Sequence, residues 1–316
     1  MILFAALAAF MASCSDDGCP QSENADGLVS PKIEMSVSTA TGQSPLTGIL
    51  TVAPCRANSS IYFGNYIDSK LTPLDGYYQV KDGTFYTEAN NREISLPTGI
   101  YNMVYWATPK YEEPIYAYPA VKEPALAIGA DISKQAFSLF KISADTIYYP
   151  AFDLVHAVQP ANIGSEPLKA SLSRMVTGLK VIVKDKDNGI LSSSIDSMAV
   201  RVTNIAGELN FYTGQPQGAL RTVAFPLVRS VDGTQMSNAT VMLFPSIGKP
   251  EFQLTIMLKN GTVKQFKQYL NSPLNANTKL TLTLTLGDIF SEESSGDFTI
   301  DNWNEVSQEI DVPVLD

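Results

Sequence analysis

The stretch KLTLTLTLGDI, residues Lys279 to Ile289, alternates leucine with threonine in a strict two-residue repeat. Successive side chains of a β-strand point to opposite faces of the sheet, so this period puts every leucine on one face. An apolar face opposite a hydroxyl-bearing face is typical of a strand that covers a core with one side only. The stretch therefore predicts a β-strand and favours a fold built from sheets.

Other stretches show the same period and the turns that join such strands. Residues 252–258 place apolar side chains at alternate positions before Asn260-Gly261, a pair that tolerates the positive φ angles of a type I′ hairpin turn. Met175 to Val183 alternate in the same way. No stretch after residue 13 sustains helical spacing for three turns, and 19 prolines and 20 glycines interrupt the chain. The predicted fold class is all-β, with two tandem antiparallel β-sandwich domains.

The length of 316 residues, with 45% hydrophobic residues, is sufficient for two hydrophobic cores. Proline and glycine at 160, 164 and 167 separate two strand-rich halves, so we place the domain boundary there. Residues 14–30 are polar and poor in large apolar side chains, as in a flexible tether. The predicted organisation is a signal peptide at 1–13, a tether at 14–30, an N-terminal sandwich at 31–160 and a C-terminal sandwich at 161–316.

The N-terminus has the composition of a secretory signal. Residues 1–13 are apolar or small, yet too few to span a bilayer, which takes about 20 apolar residues in a helix. No Lys or Arg precedes Lys32, so the basic region of a signal is missing unless the true start lies upstream. Met11-Ala12-Ser13-Cys14 resembles the bacterial lipobox, in which the cysteine is diacylated and becomes the new N-terminus. Cys14 is therefore the predicted lipidation site, and a free cysteine in a frayed terminus is the alternative.

Charge and cysteine content narrow the classes of partner and site. The formal charge of −10 gives no basic surface for DNA or RNA, which excludes nucleic acid as a partner. Cys19 and Cys55 are an even pair that either forms a disulfide in an oxidising compartment or stays reduced. His156 is the only histidine, and no Cys/His cluster has zinc spacing, so we predict no metal site and no cofactor.

The sequence carries no catalytic motif. No Gly-x-Ser-x-Gly occurs, and His156 lies in an apolar run, as a packed histidine would. The acid pairs Glu112-Glu113 and Glu292-Glu293 lie in polar surroundings, which favours solvated loops over a glycosidase pair. The stretch Asp185 to Gly189 lacks the further ligands of a calcium loop and is better explained by a hairpin turn. We therefore predict that the protein is not an enzyme.

Three segments carry a joint signal by their order along the chain: LPTGIYNMVYWA at residues 96–107, LSRMVTGLKVIVK at 172–184 and FTIDNWNEV at 298–306. Together they resemble the Bacteroidales fimbrillin superfamily, and in particular its minor-fimbrium anchor-like branch. Ser15-Asp16-Asp17 also resembles the acidic tract that follows the lipid cysteine in surface-exported lipoproteins of Bacteroidetes. The resemblance implies two transthyretin-like sandwiches, export as a lipoprotein to the bacterial outer membrane, and incorporation with other fimbrial subunits into a surface pilus.

The same resemblance implies a maturation site. Stalk subunits of that family are cut after an arginine in the first domain, which opens a groove for a neighbour's strand, whereas anchor subunits keep their lipid. Arg56-Ala57 contains the first arginine of the chain and is the implied cleavage site, with a solvated loop arginine as the alternative. The C-terminal run with Ile310, Val312 and Val314 on one face either donates a strand or completes its own sheet.

A tyrosine-rich stretch at residues 101–118 supports a second interpretation. Exposed aromatic rings stack on sugars or anchor protein partners, although half or more of these rings are expected in the core. The candidates for an adhesive surface are Tyr105, Trp106, Tyr111, Tyr116 and Tyr118. We predict a surface-exposed fimbrial lipoprotein that acts in assembly, anchoring or adhesion through β-strand donation or acceptance. The alternative is an outer-membrane lipoprotein whose aromatic surface binds a glycan or a host protein.

Overall fold

The computed structural model describes residues 27–39, 42–67, 69–73, 77–86, 93–111, 114–142, 146–164, 166–185, 187–286 and 305–311. Within these ranges the chain forms 24 strands and a single-turn 3₁₀ helix, Ile132–Lys134. The strands are β1 (Leu28–Val29), β2 (Ile33–Thr39), β3 (Gly42–Pro45), β4 (Gly48–Arg56), β5 (Asn65–Ile67), β6 (Lys70–Thr72), β7 (Tyr78–Lys81), β8 (Thr84–Phe85), β9 (Leu96–Pro97), β10 (Gly99–Pro109), β11 (Val121–Lys122), β12 (Ala136–Leu139), β13 (Ile147–Tyr148), β14 (Val155–Ile163), β15 (Leu168–Arg174), β16 (Thr177–Lys184), β17 (Ile195–Asn210), β18 (Pro216–Arg229), β19 (Gln235–Ser237), β20 (Val241–Leu243), β21 (Glu251–Leu258), β22 (Val263–Tyr269), β23 (Thr278–Thr285) and β24 (Glu305–Asp311). The all-β class predicted from the sequence is confirmed.

The first sheet has the order β3-β2-β15-β14-β10-β4-β7-β8 among the described strands. Its centre is β10, which pairs antiparallel with β14 on one side and β4 on the other. Consecutive residues of β10, from Tyr101 to Ala107 with the exception of Asn102, are buried. A strand buried at consecutive positions has both of its faces covered. The first sheet is therefore packed against a core on each side along its middle strands.

The two ends of the first sheet meet at the turn between β7 and β8. The amide of Met35 in β2 donates to the carbonyl oxygen of Gly83 at 2.8 Å, and the amide of Gly83 donates to Leu46 at 2.8 Å. Gly83 has φ +81°, and a Cβ there would lie 2.9 Å from the Met35 carbonyl oxygen. Only glycine fits this close approach. The hydrogen bonds hold the sheet rolled around its inner core.

The second sheet has 12 described strands, β11 to β13 and β16 to β24, and for brevity we call it the second domain. Its longer strands form two layers. One layer contains β17, β18, β21 and β22, and the other contains β16, β19, β20, β23 and β24. Strand β18 pairs with β17 and, at its end, with β19, so it joins the two layers. The leucines at 280, 282 and 284 of β23 are at most 1% exposed, whereas the threonines between them are half-buried. The face assignment predicted from the Leu/Thr repeat is confirmed.

Strand direction differs in part from the purely antiparallel sheets that the sequence suggested. Most described pairs are antiparallel, but β2–β15, β13–β18, β16–β23 and β23–β24 are parallel. A parallel pair needs a long crossover between its strands. More than 90 residues separate β16 from β23 and more than 120 separate β2 from β15, counted from the strand bounds. The alternation of side chains predicts which face of a strand is buried. It does not predict strand direction, because parallel and antiparallel strands have the same alternation.

The predicted boundary between residues 160 and 161 falls within β14, which belongs to the first sheet together with β15. Strands β11 to β13 precede that boundary, yet they pair with the second domain. Pro160 is tolerated in β14 because β15 pairs only with its first two residues, so the missing N–H of Pro160 faces no partner strand there. Where the two halves divide into independently folding units stays a prediction.

Two further sequence features have a clear place in the structure. The hairpin β21–β22 forms at Asn260-Gly261 as predicted, but only Gly261 has a positive φ, of 85°. Asn260 Oδ1 accepts from the amide of Thr262 at 3.0 Å and closes the turn. Strand β24 pairs in parallel with β23, which completes the chain's own sheet. Val312 and Val314 lie outside the described residues, as does the tryptophan at 303 in the third family-like segment.

Candidate functional site at the domain junction

The outer face of the first sheet packs against one end of the second domain. Trp106 of β10 is 2% exposed, and its indole Nε1–H donates to the carbonyl oxygen of Phe211 at 2.7 Å. Its ring centroid lies 4.7 Å from that of Phe137 and 4.5 Å from that of His156. Phe137 and Phe211 belong to the second domain, and Trp106 and His156 to the first sheet. The junction is therefore an aromatic cluster with a directional hydrogen bond at its centre.

The turn between β17 and β18 is shaped to fit this face. Asn210 Oδ1 accepts from the amides of Tyr212 at 3.0 Å and Thr213 at 2.9 Å. Gly214 has φ +71°, and a Cβ there would lie 2.9 Å from His156 Nδ1. A glycine is required at 214 because of both its backbone conformation and the closeness of the imidazole. The tyrosine hydroxyl of the turn also contacts Asn102 of β10.

His156 is held in the neutral form. It is 5% exposed and lies in β14 against the indole of Trp106. Burial lowers the pKa of His156 to about 4, and a hydrogen bond to the main chain at Tyr212 offsets part of this. Its Nε2 atom is buried and makes no hydrogen bond within the described part of the protein. As expected from the apolar run around it, the histidine packs at the junction.

A buried ion pair lies beside the aromatic cluster. The guanidinium of Arg174, at the end of β15, binds the carboxylate of Asp153 through two bonds, of 2.7 and 2.8 Å. The side chains are 7% and 0% exposed. The amide of Met175 donates to the carbonyl oxygen of Leu154 at 2.8 Å and continues the contact. Arg174 is the arginine of the second family-like segment. The sequence analysis did not identify its partner, Asp153. A carboxylate inside the apolar run FDLVHAV is a signal for such a buried pair.

The cysteines and the arginine of the sequence analysis are placed as follows. Cys55 is 0% exposed and lies in the hydrophobic core that also contains Trp106. Burial raises the pKa of its thiol to about 12, and the charge of Asp131 makes a smaller contribution. Cys14 and Cys19 lie outside the described residues, so lipidation and the disulfide stay predictions.

Arg56-Ala57 lies in a tight turn after β4. The amide of Arg56 donates to Ile61 at 2.9 Å, and the amide of Ser59 donates to Arg56 at 3.1 Å. The turn is held further by Asp131, whose carboxylate accepts from the Ser60 hydroxyl at 2.6 Å. Hydrogen bonds from Ser133 and Ser60 lower the pKa of Asp131 to about 2. Arg56 and Ala57 are both half-buried.

The candidate adhesive aromatics divide between the interior and the surface. Tyr105 and Trp106 are buried in β10, so neither ring can form part of an adhesive outer surface. Tyr111 is half-buried, whereas Tyr118 is 73% exposed and lies 6.1 Å from the ring of Tyr116. Burial raises the pKa of Tyr116, and electrostatic interactions with Tyr149 and Tyr118 raise it further.

Two further aromatics complete this surface. Phe140 is 53% exposed, and its ring lies 6.4 Å from that of Tyr149. The amide of Tyr149 donates to the Phe140 carbonyl oxygen at 2.9 Å, so a hairpin brings the two rings together. We call Tyr116, Tyr118, Phe140 and Tyr149 the tyrosine patch. Sequence reasoning missed the last two because the hairpin that pairs them has no strong turn signal.

In the described ranges, no group of three or more His, Cys, Asp or Glu side chains is arranged to hold a metal ion. No helix in those ranges is long and apolar enough to cross a membrane. Glu112-Glu113 and Glu292-Glu293 lie outside them. In the Asp185–Gly189 stretch, the amide of Asn188 donates to Asp185 at 2.9 Å, as in a turn.

Comparisons with known proteins give one family. The family model described as fimbrillin-A associated anchor proteins Mfa1 and Mfa2 matches residues 16–309. No curated protein matches the sequence at a significant level. The fold is similar to a structure from Bacteroides uniformis provisionally described as a cell adhesion protein, with 15% identity, 87% of this chain and 98% of that chain covered, and a TM-score of 0.49. It is also similar to the fimbrial anchor protein Mfa2 from Porphyromonas gingivalis. The two sequences are 13% identical, the match covers 75% of this chain and 80% of that chain, and the TM-score is 0.45.

Replacing Arg174 with Met should destabilise the junction strongly. The substitution leaves the Asp153 carboxylate buried without its cation, which costs about 3–5 kcal/mol in unfolding free energy. Urea unfolding of purified protein measures the change. The control is Lys169→Met, which removes an exposed pair with Glu34 at 2.8 Å and should change stability by less than about 1 kcal/mol. Equal losses in the two variants would contradict a special role for the buried pair.

His156 should make stability depend on pH between about 4 and 6.5. In this window the unfolded chain binds a proton at His156 and the folded chain does not, so stability falls as the pH is lowered. The loss should approach about 1.4 kcal/mol for each pH unit below 6.5 and end near pH 4. Unfolding of His156→Gln, measured at pH 5.0 to 7.0, should show a smaller slope than the unsubstituted protein. Identical slopes would show that the imidazole is solvated or protonated in the fold.

Proposed function

The chain belongs to the family of fimbrillin-A associated anchor proteins, and from this premise we propose that it is a lipid-tethered anchor subunit of a cell-surface fimbrium. A fimbrial or adhesin-type role at the cell surface, in association with other fimbrial subunits, follows from that membership. The proposed role is mechanical and non-enzymatic. It requires a firm attachment at one end of the chain and a docking surface for the next subunit.

We place the attachment at Cys14, in the outer membrane. Several acyl chains, each methylene worth about 0.8 kcal/mol when buried, hold a protein on a membrane without a spanning helix. Cys14 precedes Gly27, where the described chain begins, by 13 residues. An extended segment of that length reaches at most about 45 Å. The first sheet would therefore stand close to the lipid surface.

The observation that carries the anchor role is the position of Arg56-Ala57. A cut there would separate β1–β4 from the rest of the chain, and β4 lies between β10 and β7 in the first sheet. The bond itself is in a hydrogen-bonded turn, and cleavage of such a bond needs local unfolding first. This geometry supports a mature chain that keeps its lipid and its first strands, as an anchor would, over one processed like a stalk subunit.

Subunit docking is proposed to use the sheet edges. Strand β24 is the last strand beside β23, and among the described strands it pairs with no other. An outer strand presents unpaired N–H and C=O groups to a neighbouring chain, and alternate side chains give the pairing its register. Strand addition at this edge, or exchange of β24 for a neighbour's strand, would connect the anchor to the fimbrium.

Mass spectrometry of the mature protein from cells tests the anchor role. We expect a diacylglyceryl-modified N-terminus at Cys14 on a chain that is intact across Arg56-Ala57. The control variant Cys14→Ala should no longer be found in the membrane fraction, and its fold should be unchanged. An N-terminus at Ala57 would instead assign a stalk role, and an unmodified cytoplasmic chain would contradict the surface location.

Glycan binding is the second candidate function, and the tyrosine patch is the observation that favours it. Exposed rings with hydroxyl groups can stack on the apolar face of a sugar and bond to its hydroxyls. A glycan array should then show binding that Tyr118→Ala and Tyr116→Ala abolish. Tyr105→Phe, at a buried ring, is the control and should bind normally. This function would be rejected if all three variants lost glycan binding, or if the unsubstituted protein bound no glycan.

A further inference from the structure

A cleft of about 190 Å³ opens at the margin of the domain junction. Ile49 of β4 and Trp106 of β10 form its wall on the first sheet, and Phe137, Phe152 and Leu154 form much of the rest. The walls are therefore apolar and largely aromatic. Small-molecule sites in proteins are concave, mostly apolar and frequent at domain interfaces. None of the roles proposed above uses this cleft.

The mouth of the cleft carries two polar side chains that face each other across the junction. The hydroxyl of Tyr77, which precedes β7, donates to the carboxylate of Glu123, which follows β11. Tyr77 is 39% exposed. Burial, followed by the contact with Glu123, raises the pKa of Tyr77 to about 12, so its hydroxyl keeps the proton at neutral pH. The hydrogen bond spans the opening between the two domains.

We propose that this cleft binds one small neutral aromatic molecule that carries a single O–H or N–H donor, of the phenol, cresol or indole class. An apolar cavity of about 150 Å³ is known to stay dry and to accept benzene. A cleft of about 190 Å³ has room for a ring with a small substituent. The apolar walls bind the ring, and the carboxylate of Glu123 at the mouth accepts the hydrogen bond of the donor.

The apolar walls select among aromatic ligands. When the ring hydroxyl bonds to Glu123, a substituent para to it points away from the mouth and lies among the apolar walls, where a carboxylate has no partner and is costly to bury. A neutral ring with a donor replaces the hydroxyl of Tyr77 at no cost in charge. We therefore expect p-cresol to bind and 4-hydroxybenzoate, which differs by a carboxylate in place of the methyl group, to bind much more weakly.

The mouth also favours a free molecule over a side chain from a partner protein. A side chain stays attached to its own backbone, which would have to lie in the opening between Tyr77 and Glu123. A free ring needs no such room, and its donor takes the place of the Tyr77 hydroxyl at Glu123. Because both domains contribute to the walls, a bound ring would also stabilise the junction by mass action.

Ligand titration of the purified, folded chain tests the proposal. Calorimetry and thermal unfolding with p-cresol should give saturable binding, with a dissociation constant on the order of 0.1–1 mM, and a rise in Tm. 4-Hydroxybenzoate should bind at least tenfold more weakly. Absence of saturable p-cresol binding would overturn the proposal, and equal affinity for the two compounds would overturn the placement of the ring among the apolar walls.

Two substitutions of the same kind separate binding in the cleft from binding elsewhere. Ile49→Trp fills the cleft and should abolish p-cresol binding, whereas Ile100→Trp is the matched control on β10, outside the cleft. The two isoleucines are 38% and 45% exposed, so both variants should fold, as circular dichroism will check. Unchanged p-cresol affinity in Ile49→Trp would overturn the assignment of the site.

Glu123→Gln tests the hydrogen bond at the mouth. The amide keeps an acceptor but removes the negative charge, and a charged acceptor makes a hydrogen bond roughly twice as strong as a neutral one, so p-cresol should lose affinity about fivefold. Unchanged p-cresol affinity would overturn the role given to Glu123. A photocrosslinking residue at Thr108, which also lines the cleft, identifies its occupant in cells. A crosslink to another polypeptide, with no p-cresol binding to the purified chain, would assign the cleft to a protein side chain and overturn the proposal.

Discussion

Strand β10 supplies alternate side chains to two different hydrophobic cores, and the rest of the structure depends on this. Met103 and Tyr105 belong to the core of the first sheet, whereas Val104 and Trp106 belong to the core that continues into the second domain. The two domains cannot separate without exposure of the indole and loss of its hydrogen bond to Phe211. Burial of large aromatic side chains is the main source of stability at such a contact.

The polar groups at the junction restrict how the domains can pack. A hydrophobic surface alone permits several orientations, because burial of apolar area has no direction. The indole hydrogen bond between Trp106 and Phe211 is satisfied only in one arrangement of the two sheets. The Arg174–Asp153 pair fixes the end of β15 to the segment that precedes β14 on the first-sheet side, and each of these interactions costs free energy when it is broken inside the protein. A fixed junction suits the proposed role of an anchor subunit, which would transmit force between its attachment and a neighbouring subunit.

The aromatic residues between 101 and 118 show how strand geometry divides one sequence cluster into different roles. Within β10 the odd-numbered Tyr101 and Tyr105 face the inner core, and the even-numbered Trp106 faces the junction. The strand ends at Pro109, and the residues that follow leave the sheet, which brings Tyr118 to the surface. Tyr116 and Tyr118 of the tyrosine patch therefore lie beyond the end of β10, whereas Trp106 of the apolar cleft lies on its outer face.

The sequence by itself determined the all-β class, the buried face of β23 and the β21–β22 hairpin, because the two-residue period and the Asn-Gly turn depend on local geometry. Only the tertiary structure decided that β2 and β15 are parallel partners, that β14 lies in the first sheet, and that Asp153 meets Arg174. It also brought Tyr77 and Glu123 together at the mouth of the cleft. Strand partners and contacts of this kind depend on how the whole chain is arranged in space, which no local pattern of side chains encodes.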